Sequence, residues 1–220
     1  MQLHLIRHGQ TDWNTQRRIQ GQLETELDAT GRDQAKARGK TFVDMPLHAV
    51  YSSSSVRTRQ TTELILGSRT DSVVFRDELK EINLGVWQGR FWSDVESTDP
   101  DMVQALNFAE PSFNVEGAES YHDLQRRGVK AIERILDEHQ NAPSNSNILV
   151  VSHGALLKTI IAHYTNVPLS ELPNYPSLPN CCHSILLYKD NSARFTVFNG
   201  APIEQSDWPA STLYLLFDST

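Results

Sequence analysis

The chain predicts an α/β fold, and three observations carry that expectation. Short apolar segments alternate with longer helical patterns. Two of those segments are rich in apolar residues, as strands buried on both faces are: Leu3, Leu5 and Ile6 in the first, and Ile148–Val151 without interruption in the second. Both run straight into a His-Gly pair, His8-Gly9 and His153-Gly154. Alternation of this kind belongs to a mainly parallel sheet with crossover helices, in which ligands sit beyond the strand C-termini.

After the first strand a polar stretch runs to Gly21, and a helix is expected over 30–39 with Thr30 as its N-cap. His48–Ser52 reads as the next strand. Ser53–Leu66 follows as a weakly periodic helix whose opening serines are placed to cap it. Short apolar pieces at 73–75 and 79–84 lead into an irregular region, Gly85 to Gly117, which reads as a lid inserted into one domain spanning 1–220. Leu124, Val129, Ile132, Ile135 and Leu136 share one face of a long helix. Asn147–Ser152 is the clearest buried strand, and a helix from Ala155 to Tyr164 follows it. A proline-rich loop, 167–179, precedes late strands at 184–188 and 195–198. The tail from Asn199 to Thr220 is expected to add an edge strand or a subunit contact, a homodimer being one outcome.

Composition narrows the function. The net charge of −7 argues against nucleic acid or an anionic membrane as the main partner. No run is long enough to span a bilayer, and the N-terminus lacks a signal-peptide pattern, so a cytoplasmic location is expected. Cys181 and Cys182 are adjacent, match no zinc spacing and read as buried thiols. No carboxylate and histidine cluster has two-metal spacing, and neither a metal nor a cofactor is expected.

The chemistry concentrates at strand ends. Arg7 can fork two hydrogen bonds onto an anion, and His8 beside it titrates near neutrality. Parallel neighbours would bring His8 and His153 together. Arg57, in the first turn of the helix after Ser52–Ser55, would add a third cationic group where backbone donors also point.

These residues, with Trp13-Asn14, Arg18-Ile19-Gln20-Gly21, Leu27–Gly31 with Gln34-Ala35, Ser52–Thr61, Glu81 with Gly85-Val86-Trp87-Gln88-Gly89, and Ser152-His153-Gly154, resemble the histidine phosphatase superfamily, which includes the cofactor-dependent phosphoglycerate mutases. The resemblance covers most of the chain. It implies a phosphoglycerate mutase-like three-layer sandwich, its mostly parallel sheet flanked by helices and its pocket covered by an inserted lid. It also implies that His8 takes the phosphoryl group, that Arg7, Arg57 and His153 surround the phosphoryl oxygens, and that Glu81 is general acid and then base. Asn14, Gln20, Gly21 and Gly154 would contact the substrate, a small-molecule phosphate ester.

Residues 91–118 contain no Lys or Arg but do contain Asp94, Glu96, Asp99, Asp101, Glu110 and Glu116, a charge that disfavours a bisphosphate if it faces the pocket. Ala155 stands where mutases of this family carry Asn, and Gly85–Gly89 resembles the phosphatase branch. The expected activity is therefore hydrolysis of a monoester with a neutral or cationic remainder. A mutase and a catalytically inactive phospho-ligand-binding regulator stay open as alternatives. Trp87, Phe91, Trp92, Phe108, Phe113 and Tyr121 read individually as ordinary lid packing, with the lining of a site for an apolar or ring-bearing leaving group as the alternative, while Arg126 and Arg127 are expected to face solvent.

Overall fold

The computed structural model describes residues 1–175, 177–190, 192–198 and 201–202. Seven strands form one mixed sheet: β1 (Gln2–Arg7), β2 (Leu47–Ser53), β3 (Val73–Arg76), β4 (Asn147–Ser152), β5 (His183–Lys189), β6 (Ser192–Phe198) and β7 (Ala201–Pro202), ordered β3-β2-β4-β1-β5-β6-β7. The β3-β2-β4-β1 half is parallel throughout, and β5 begins an antiparallel half. Helices α2 (Ala29–Gly39), α3 (Val56–Leu66), α6 (Tyr121–Glu138) and α7 (Gly154–Tyr164) make the crossovers, and a single turn, α1 (Asp12–Thr15), follows β1.

The position of β1 between β4 and β5 decides where the chemistry goes. Leu3, Leu5 and Ile6 are buried, as are Ile148–Val151 of β4, because this strand pair has neighbours on both sides and helices on both faces. The register pairs Arg7 with Ser152, so the residues that follow, His8 and His153, leave the sheet side by side.

Several local expectations change. The N-cap of α2 is Asp28, whose carboxylate accepts the Gly31 amide at 2.7 Å, and Thr30 lies inside the helix. The serines before α3 do not cap it. The N-cap position is Ser55, without a side-chain cap, and the Val56 amide donates to Glu24 Oε2 at 2.7 Å instead. Residues 79–84 form no strand: a 3-10 turn (Asp77–Leu79) leads to an extended run whose Leu84 bridges Ala118. The lid is more regular than its composition suggests, with α4 (Trp92–Thr98) and α5 (Pro100–Asn107), the second started by a proline that costs no helical hydrogen bond there. Of the C-terminal tail, residues 203–220 lie outside the described residues, while 201–202 pair with β6.

Candidate active site

Eight of the predicted residues, Arg7, His8, Asn14, Gln20, Gly21, Arg57, Glu81 and Gly154, line one cavity of about 250 Å³. His153 stands behind His8, the two rings edge to face with centroids 5.3 Å apart.

His8 is almost fully buried, and its Nδ1 lies 2.7 Å from the Gly9 carbonyl oxygen. A carbonyl only accepts, so Nδ1 carries the proton and Nε2 is left with its lone pair. Burial, then the positive charges of Arg57 and Arg7, push the imidazole pKa well below its ordinary value, so the ring is neutral at neutral pH. The loop is pinned from three directions. The Gly9 amide donates to Thr61 Oγ1 of α3 at 3.0 Å, Asn180 Nδ2 donates to the His8 carbonyl at 3.0 Å, and the Cys181 amide donates to Arg7 O at 3.1 Å.

The two arginines are held by backbone carbonyls. Arg57 has no exposed surface, and its Nη1 and Nη2 donate to Leu23 O (2.9 Å) and Gly21 O (2.7 Å). Burial, opposed by the charges of Glu81 and Glu24, lowers its pKa to about 10. Arg7 Nη1 donates to Leu178 O. Three buried nitrogens at this centre, Arg7 Nε, Arg57 Nε and His153 Nδ1, have no hydrogen-bond partner within the protein. An unpaired buried donor costs about 1–3 kcal/mol, so their clustering at one place marks a site built for an acceptor the chain does not supply. The His153 ring is fixed through Nε2, 2.8 Å from Ser53 Oγ, and burial followed by the charge of Arg57 holds its pKa far down.

Glu81 lies opposite, at the N-terminus of α7. Its Oε1 accepts the amides of Ile82 (3.0 Å) and Leu156 (3.1 Å), and its Oε2 accepts that of Ala155 (3.1 Å), leaving one acceptor position on Oε2. It does not pair with Lys80 or Arg76, which bind Asp77 and Glu138. The segment carrying it is clamped by Arg127, which donates to the carbonyls of Glu78 and Lys80 at 2.9 Å each and pairs with Glu119 at 2.5 Å. The expectation that both helix arginines face solvent therefore fails for Arg127 and holds for Arg126, which is exposed and pairs with Asp123.

Two glycines have steric reasons. Gly21 has φ +51°, and a Cβ there would meet Gln88 Oε1 at 2.0 Å. Its carbonyl accepts from Arg57 Nη2. A Cβ on Gly154 would sit 3.2 Å from Arg7 Nε, so the bare backbone lets the guanidinium lie against the start of α7. The side-chain carbonyl oxygens of Asn14 and Gln20 are already occupied. Asn14 Oδ1 accepts from Thr11 and Gln20 Oε1 from Thr11 and Thr25, which leaves their amide nitrogens for the pocket.

The lid supplies Trp92 and Leu106 to the cavity, with Leu84 at its base and Tyr121 at the start of α6, whereas Trp87 is core and Phe91 and Phe108 are largely exposed. None of the six lid acids lines it. Glu96 pairs with Arg17, Asp99 accepts Trp87 Nε1, and Asp94 lies in the first turn of α4. The charge argument against a second anion therefore falls away. Lys158, which the sequence reading passed over, lines the cavity one turn along α7 from Gly154, and helical spacing alone points to it.

Cys181 and Cys182 are buried free thiols, their pKa values pushed up to about 12 and 11 by burial. Among the described residues no helix is long and apolar enough to cross a membrane.

Relatives fit this geometry. The chain is 32% identical over 168 residues, 76% of each chain, to "Probable phosphoglycerate mutase GpmB" of Erwinia tasmaniensis. Its fold superposes on Bacillus stearothermophilus YhfR with a TM-score of 0.84 at 30% identity, covering 92% of this chain and 98% of that one. It also superposes on the alpha-ribazole phosphatase of Shigella flexneri with a TM-score of 0.79 at 27% identity, covering 93% and 100%. Residues 3–200 match the family model of the histidine phosphatase superfamily, branch 1, and the chain belongs to that superfamily.

Proposed function

We propose that the protein hydrolyses a small-molecule phosphate monoester through a phosphohistidine on His8, without a metal. The observation that carries this reading is the tautomer of His8, whose Nδ1–H is committed to Gly9 O so that Nε2 is the free nucleophilic nitrogen in a pocket shared with Arg7, Arg57 and Glu81.

In the first step the Nε2 lone pair forms the N–P bond as the ester P–O bond breaks. Glu81 Oε2 gives its proton to the departing alkoxide, and Nδ1–H shares the new positive charge with the Gly9 carbonyl. In the second step a water attacks phosphorus, its proton passes to Glu81, the N–P bond breaks and phosphate leaves. Arg7, Arg57 and His153, each with an unpaired buried nitrogen, receive the phosphoryl oxygens throughout, with Asn14 and Gln20 adding amide donors. Arg127, the α7 amides and the Gly154 backbone hold these groups in place.

Brief incubation with a phosphate-labelled monoester should leave acid-labile label on the wild-type protein and none on His8→Ala. Equal labelling of both ends the assignment. The names of the sequence relatives favour a second reading, phosphoglycerate mutase activity. Ala155 in place of the mutase Asn argues for hydrolysis, and label appearing in 2-phosphoglycerate from 3-phosphoglycerate faster than in free phosphate would reverse that choice.

A further inference from the structure

Lys158 is more than half buried, yet no carboxylate pairs with it among the described residues. Its Nζ donates to two carbonyls, Leu172 O at 2.7 Å and Tyr175 O at 2.5 Å, which anchor the 3-10 segment Leu169–Asn174 against α7. An ammonium has three N–H donors, so one remains. Lys158 also lines the same cavity as His8, on the face of α7 that bears Gly154 and Ala155, one turn beyond the contact between Gly154 and Arg7. The cavity that Lys158 shares with these groups also has an apolar wall, built from Ile82, Leu84, Trp92, Leu106 and Ala155. Burial lowers the pKa of Lys158 to about 8. A charge drawn out of water in such a place is costly unless a ligand pairs with it.

We propose that the leaving group of the natural ester carries a carboxylate received by the remaining N–H of Lys158, which makes Lys158 a specificity-determining residue. This rests on the phosphatase reading and replaces the expected neutral or cationic remainder, whose basis was lid acids that do not line the cavity. A carboxylate fits better than a second phosphate for two reasons. A single donor satisfies one acceptor oxygen, whereas a phosphate needs several. The carbonyl oxygens of Leu172 and Tyr175 beside Nζ also repel a second negative charge. Apart from Arg7 and Arg57, which face the phosphate in this reading, Arg18 is the other cation on the cavity, but its guanidinium is stacked over Trp13 at 4.2 Å and donates to Gly89 O at 2.5 Å.

The test measures kcat/KM for 3- and 4-carboxyphenyl phosphate against their carboxamide counterparts, which match them in size. In the wild type the better carboxylate should exceed its amide by about 10-fold, through KM, as a charge-assisted hydrogen bond would give. In Lys158→Met the ratio should fall to about one. Each ratio is taken within one protein, so partial loss of folded material does not affect it, and Lys158→Gln serves if the Met variant does not fold. A wild-type ratio near one overturns the proposal. So does a preference that survives in Lys158→Met or is lost in Arg18→Met, or a phenylene bisphosphate outperforming both carboxylates. Failure of all the esters, amides included, instead overturns the phosphatase reading beneath it.

Discussion

The two ends of the cavity are built differently. The end proposed to hold the phosphate comes from the C-termini of adjacent parallel strands: β1 leads to Arg7 and His8, β4 to His153, and the first turn of α3, after β2, to Arg57. Its groups are buried and fixed by backbone carbonyls and amides. The leaving-group end is assembled from short lid helices, the start of α6, the face of α7 and the loop after it, with Trp92, Leu106, Tyr121 and Lys158 as its main side chains. Chemistry is thus set on the most constrained elements and selectivity on the least, which lets one scaffold keep a reaction while its substrate changes.

That contrast can be broken by substitution. Glu81→Gln should have the largest effect, lowering kcat for alkyl esters by about 10²–10⁴-fold and for 4-nitrophenyl phosphate far less, because a good leaving group needs no proton. A uniform loss across leaving groups would mean that Glu81 only positions α7. Trp92→Ala, on the other wall, should cost about 10-fold in kcat/KM for aryl esters and little for small alkyl esters, as removal of one apolar wall does. An equal loss on both would place Trp92 in the phosphate end. The smallest effect belongs to the lid acids. Changing Asp94, Glu96 and Asp101 together to their amides should leave kcat/KM for anionic esters within about twofold at moderate ionic strength, since exposed charges are screened. A larger gain would show that the lid charge reaches the pocket.

The difference also explains what could be read from the sequence. Strand ends are legible: Leu3, Leu5 and Ile6 locate β1, the run Ile148–Val151 locates β4, and the His-Gly pairs that follow mark one edge of one sheet, so His8, His153, Arg7 and Arg57 were found by local pattern. Glu81 needed the superfamily resemblance, because the segment before it forms no strand and its carboxylate is held by amides 74 and 75 residues away. Arg127 was misjudged for the same reason: its partners are backbone carbonyls at 78 and 80, which leave no mark in a helical pattern. The acids of 91–118 misled because a count of charge says nothing about direction: Glu96 pairs with Arg17, Asp99 accepts Trp87 Nε1, Glu110 accepts Ser112 Oγ, and none lines the cavity. Lys158 was within reach, four residues after Gly154 on a helix already predicted, had the face of that helix been followed.

The central place of β1 bears on how the molecule is made. Residues 2–7 are synthesised well before their sheet neighbours, which lie at 147–152 and 183–187. The segment carrying the nucleophile must therefore wait, unpaired on both edges, until most of the chain has been synthesised. The register that sets His8 beside His153 cannot form before β4 is made, so a chain ending short of residue 147 lacks the arrangement altogether.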